Sequence, residues 1–139
     1  MKDHADLIKR AFELLNAHKA DELAALYAAD SVFEDIPLGA FPADHVEMKK
    51  LWTDTWDSLS DFKMIPDFII ADENGGAADF TMTGTHTGDF PGYPASGKSF
   101  SLRGGSIIRI KDGKIVKWTD YWSTGDMERQ LTIGQAAGE

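Results

Sequence analysis

The sequence predicts an α+β fold in which N-terminal helices lie against one face of a curved, mostly antiparallel sheet. Three observations carry that expectation. Apolar residues recur at helical spacing through the first sixty residues, and from residue 61 they recur at a period of two. Two long strand-like runs then meet across Asp112-Gly113, a strong hairpin signal. Helices followed by strands, rather than alternating with them, place the chain among α+β architectures.

Each element has its own signal. Leu7, Ile8, Ala11, Phe12, Leu14 and Leu15 form the stripe of a first helix, which Asn16-Ala17-His18 ends. Leu23, Leu26 and Tyr27 mark a second, short helix. A β-type stretch runs from Ser31 to Ile36 and stops at Pro37. Asp44 and Glu47 have capping-box spacing and open a third helix, with Val46, Leu51, Trp52, Trp56 and Leu59 as its buried face. Phe62, Met64, Phe68 and Ile70 alternate with polar residues, as do Ala78, Phe80 and Met82. A Gly- and Pro-rich loop spans Gly88 to Gly97. Strands follow at Ser99 to Lys111 and Lys114 to Ser123, then a short helical tail from about Gly125 and a frayed end at 134–139.

The chain of 139 residues has room for one domain, 1–139. It has no cysteine, which excludes disulfides, cysteine nucleophiles and cysteine-bound metals. Fourteen basic against 23 acidic residues give a net charge of −9, and the acidic excess holds in both halves of the chain. Nucleic-acid binding depends on neutralising phosphates, so no nucleic-acid partner is expected. No apolar run approaches the ~20 residues of a membrane helix, and no membrane partner is expected. The opening residues enter an amphipathic pattern rather than a secretory signal, so a cytoplasmic domain is the expectation.

Gly92-Tyr93-Pro94-Ala95-Ser96-Gly97-Lys98-Ser99 matches a phosphate-binding loop letter for letter. That chemistry needs a helix beginning at the Lys-Ser, and here Phe100-Ser101-Leu102 begins a strand, so the match is accidental. The four histidines share no metal-ligand spacing, and no serine-nucleophile elbow or dinucleotide fingerprint occurs. No metal and no cofactor are expected.

Ionisable residues on otherwise apolar strand faces remain. Asp120 shares a face with Val116, Trp118 and Trp122, where desolvation would lift its pKa toward the range of general acid–base work. His86 shares a face with Phe80 and Met82, and Asp35 with Phe33. Arg103, on a strand, could hold either aspartate charged. Structural roles stand beside these. The Asp120 face could pack a partner, His86 could be a bonded wall residue, and Asp35 could cap the turn at Pro37. Arg103 could be an ion-pair partner only, and Trp52 and Trp56 could be plain core.

Gly84-Thr85-His86-Thr87-Gly88, the Gly92-to-Lys98 loop, Phe100 through Val116 and the closing Trp118-Thr119-Asp120-Tyr121-Trp122 resemble the SnoaL-like polyketide cyclase family. The order of elements resembles its wider superfamily, the nuclear transport factor 2-like fold. The resemblance implies a cone-shaped α+β barrel with a deep apolar pocket, no cofactor, and often a homodimer across the sheet. It also implies an acid–base aspartate on the last long strand, matching Asp120, for an aldol ring closure on a small apolar molecule. Trp118, Trp122, Phe33, Phe80, Met82 and Trp56 would then be pocket walls, with Phe90 and Tyr93 at the mouth.

Glu34 to Gly39 resembles the segment carrying the base of ketosteroid isomerases, which would make Asp35 the counterpart. The first helix lacks the isomerase tyrosine, and Ser106 stands where its second oxyanion donor would be. Arg103 and Asp120 resemble part of the limonene epoxide hydrolase set, with Gly105 in place of its second aspartate. The leading expectation is cofactor-independent acid–base catalysis with Asp120, His86, Asp35 and Arg103 as catalytic candidates. A non-catalytic binding or dimerisation domain and an epoxide hydrolase are the alternatives.

Overall fold

The computed structural model describes residues 2–88 and 95–131. Helix α1 (Lys2–Asn16) buries Ile8, Ala11, Phe12 and Leu14, the stripe expected from their spacing. It ends because His18 takes a left-handed conformation, φ 57°, while the His18 and Lys19 amides donate back to Leu15 and Leu14 carbonyls. Asn16 then acts as a strand mimic. Its side chain donates to Met64 O at 2.8 Å and accepts from Met64 N at 2.7 Å, tying the helix end to the sheet.

Helix α2 (Ala20–Ala24) is shorter than the leucine spacing suggested, and Tyr27 opens strand β1 (Tyr27–Asp35) instead of closing the helix. Helix α3 (His45–Ser58) starts at Asp44, whose carboxylate accepts the Glu47 amide at 2.8 Å. The Glu47 side chain reaches back one residue further, to the Ala43 amide. Met48, Trp52, Trp56 and Leu59 are buried, whereas Val46, expected on that face, is 74% exposed.

Strands β2 (Lys63–Asp72), β3 (Gly75–Thr85), β4 (Ser99–Lys111) and β5 (Lys114–Tyr121) form an antiparallel meander. The sheet order is β1-β5-β4-β3-β2, and β1 joins at the edge by parallel pairing to β5. This is an α+β fold with a five-stranded mixed sheet. Asp112 and Gly113, both at positive φ, make the expected hairpin turn. Ser99 opens β4, as the reading of the Gly-Lys-Ser run requires. Helix α4 (Thr124–Leu131) lies against β4, held by Gln130, whose amide group bonds both backbone groups of Ser101.

One face of the sheet carries the core. The β2 pattern departs from simple alternation because its register with β3 slips between Pro66 and Phe68. The extra residue reverses the facing of everything after it. Met64 is therefore buried, while Phe68 and Ile70, expected beside it, are 64% and 55% exposed on the outer face. Among the described residues no helix is long and apolar enough to cross a membrane. The tail at 134–139, with Phe90 and Tyr93, lies outside the described residues.

Candidate functional site

Strand parity and sheet order build the site. On β5, Trp118 and Asp120 point inward with Trp122 just beyond the strand, and on β1 Phe33 and Asp35 do the same. Parallel pairing sets Asp35 directly opposite Asp120. Neighbouring strands lie about 4.8 Å apart, so two carboxyl groups leave the same face of adjacent backbones. Helices α1 and α3 roof this corner with Phe12, Leu15, Trp52, Thr55 and Trp56. The cavity has a volume of about 70 Å³ and opens to solvent at its mouth.

Asp120 is 5% exposed and firmly held. Its Oδ1 accepts from Ser106 Oγ at 2.5 Å and from Trp118 Nε1 at 2.7 Å. Ser106 is its partner across β4, which fixes the hydroxyl in place. Burial lifts the carboxyl to about 7; the Ser106 bond opposes the rise, the charge of Asp35 adds to it and the Trp118 bond opposes it. Asp35 accepts from Trp122 Nε1 at 3.1 Å and more distantly from the Leu38 amide. Burial raises it to about 6 against those two bonds. Each carboxylate thus has its own indole donor, and the pair titrates around neutrality rather than in the ordinary carboxylate range. Both bonds to Asp120 fall on Oδ1, leaving Oδ2 for the cavity.

The structure brings together Asp120, Asp35, Trp118, Trp122, Phe33, Met82 and Trp56 on the cavity wall. It separates the others. Arg103 lies on the opposite face, 65% exposed at its side chain, and pairs with Asp79 at 3.0 Å and Asp67 at 3.5 Å. Its strand parity is opposite to that of Ser106, so it cannot reach either site aspartate. His86 is fully buried just past the end of β3, with Nδ1 3.0 Å from Ser96 Oγ, and does not line the cavity. Phe80 is also fully buried and packs on Phe12 instead of facing the cavity. Among the described residues no three His, Asp or Glu side chains converge as a metal site.

Sequence reasoning missed Tyr27, and it noted Ser106 only as a departure from a relative. Tyr27 lines the cavity from the start of β1, where burial first and the Asp120 charge second raise its phenol above the ordinary value. Its only signal would have been recognition that β1 starts four residues earlier than Ser31.

Comparisons with known proteins agree with this architecture. A curated relative, the aklanonic acid methyl ester cyclase DnrD of Streptomyces peucetius, is 30% identical, and the match covers 89% of this chain and 89% of its own. A solved structure from Jannaschia sp. CCS1, provisionally assigned as a SnoaL-like polyketide cyclase, superposes with a TM-score of 0.86 at 9% identity, covering 97% of this chain and 94% of its own. A protein of ketosteroid isomerase-like fold from Catenulispora acidiphila superposes at 0.82 with 14% identity, covering 91% and 92%. Residues 8–118 match the SnoaL-like domain, and the chain belongs to that family.

Proposed function

We propose that this pocket moves protons on a small to medium apolar carbonyl compound, without a cofactor, in an aldol-type ring closure or an isomerisation. The observation that carries the reading is the Asp35–Asp120 register inside an apolar cavity. Ionised Asp120 takes a proton from the carbon beside a carbonyl. In ring closure the resulting enolate carbon attacks a second carbonyl of the same molecule, and the new alkoxide receives the proton back from Asp120. In isomerisation the proton returns to a different carbon. Asp35 is the second carboxyl in reach, and the indole and phenyl walls hold a flat substrate in reactive shape. The cyclase name of the Streptomyces peucetius relative favours ring closure.

The test needs no knowledge of the natural substrate. The bicyclic ketone 2-tetralone, incubated with the protein in D₂O, should exchange its α-protons faster than in buffer. Asp120→Asn should lower that rate by ~10²–10⁴-fold. Exchange should rise with pH through about 7, as Asp120 loses its proton. A wild type no faster than buffer, yet still binding the ketone, would replace catalysis with a binding role.

A second copy of the chain is proposed as partner on the outer face of the sheet. There Ile70, Ala77 and Ile107 stand in one register row, with Phe68 and Tyr121 in the next. Phe68, Ile70, Ile107 and Tyr121 are each about half exposed or more, an apolar surface of the kind that marks interfaces. Sedimentation should give a dimer for wild type and a monomer for Ile107→Lys; a wild-type monomer at high concentration rejects the proposal.

A further inference from the structure

The carboxylates account for proton movement, but removing a proton beside a carbonyl also charges the carbonyl oxygen. That charge needs a donor in the same cavity. Among the described residues the polar groups lining the cavity are committed elsewhere or closed off, apart from Tyr27 and the Trp52 indole. The Trp118 and Trp122 indoles and the Ser106 hydroxyl behind the wall all donate to Asp120 or Asp35. The Thr55 hydroxyl donates to the Leu51 carbonyl of its own helix. Trp56 Nε1 has no partner, but that atom is closed off from open space, with the ring stacked on His18 at 4.6 Å.

Tyr27 is different. It is 3% exposed, it lines the cavity, and its hydroxyl makes no hydrogen bond to a described residue. Its ring is held between Trp52 and Trp118, with centroids 5.7 and 6.4 Å away. The same Trp118 donates to Asp120, so phenol and carboxyl are positioned by one indole. His45 Nε2 lies 3.0 Å from the Tyr27 carbonyl oxygen and anchors the start of β1. We propose that the Tyr27 hydroxyl is the donor that holds the substrate's carbonyl oxygen and steadies the negative charge that forms there. This rests on the proton-transfer reading above. Burial and the neighbouring carboxylate keep the phenol protonated, and therefore a donor, at every pH where Asp120 titrates.

The decisive variant is Tyr27→Phe, which keeps the ring and removes one hydroxyl. Two measurements are made on wild type and variant: α-exchange of 2-tetralone, and binding of 2-naphthol and of naphthalene by fluorescence. 2-Naphthol offers an oxygen on a flat apolar frame, and naphthalene is the frame alone. The expected result is a kcat for exchange ~10²-fold lower in Tyr27→Phe, with KM changed only a few-fold. Wild type should prefer 2-naphthol over naphthalene by ~10-fold, and the variant should lose that preference while binding naphthalene as before. Unchanged naphthalene binding shows that the pocket is intact.

A Tyr27→Phe protein that exchanges at the wild-type rate and keeps its preference for 2-naphthol overturns the assignment, although proton transfer by Asp120 then stands. A wild type without exchange removes the catalytic reading beneath it. In that case the naphthol preference still decides whether Tyr27 is the cavity's donor. If neither compound binds wild type, both readings fall together.

Discussion

At about pH 8 the Asp120→Asn protein should melt several degrees above wild type; at about pH 4 the two should melt together. The reason lies in where the proton sits. The folded carboxyl titrates at about 7 against an ordinary 3.8, so between those values the folded chain holds a proton that the unfolded chain releases. The contribution to stability is complete below the unfolded value and is lost as pH rises through the folded one. Asparagine is neutral throughout and keeps both donors to its Oδ1, Ser106 and Trp118. The gap of about three pH units corresponds to at most about 4 kcal/mol, an upper bound on the order of ten degrees of melting temperature for a domain of this size. Asp35 contributes a loss of the same sign between 3.8 and about 6, and that loss persists in the variant. Calorimetry across this range tests the claim. A variant no more stable than wild type at about pH 8 would mean that burial does not penalise the Asp120 charge.

Neighbouring glycines in β4 should respond in opposite ways to the same substitution. A Cβ on Gly104 would lie 2.5 Å from Phe80 Cζ and 2.6 Å from the Tyr121 carbonyl oxygen. Phe80 is fully buried, and Tyr121 is strand backbone, so neither can step aside without opening the sheet next to Ser106. Gly104→Ala should therefore cost about 3 kcal/mol, enough to lower the denaturant midpoint sharply. A Cβ on Gly105 points to the other face and meets only the Ala78 carbonyl oxygen at 3.6 Å, an ordinary contact. Gly105→Ala should be close to neutral or slightly stabilising, because alanine narrows the unfolded ensemble. Equal losses in the two variants would contradict the facing of β4 on which the site depends.

What could be read from the sequence follows from the range of each signal. Period-two alternation is local, so the common face of Trp118, Asp120 and Trp122 was legible. It did not place Arg103, because a register shift between Arg109 and Ile110 sets Ser106 rather than Gly105 across from Asp120 and so turns Arg103 to the opposite face. Phe68 and Ile70 were misplaced because one extra residue between Pro66 and Phe68 reverses a strand's facing without altering its composition. The start of β1 is hidden because Leu23, Leu26 and Tyr27 have helical spacing, which outweighs the β-type residues that follow. His86 was rightly placed on an inward face, but the strand carries it past the cavity. The adjacency of Asp35 and Asp120 had no local signal, since it arises from pairing the first strand with the last.

That closing pair also sets when the site exists. Most of the chain lies between the two carboxylates, and β1 reaches the sheet only through β5. Loop-closure entropy makes such distant parallel contacts late events in folding. As the chain leaves the ribosome, its helices and the meander, with Ser106 and Trp118 already bonded to Asp120, can form before Asp35 lies beside it. The cost of crowding two acids into an apolar corner therefore falls on the final docking of β1, after the remaining core is present to oppose it. The cavity gains its paired carboxyl groups in the same step that completes the sheet.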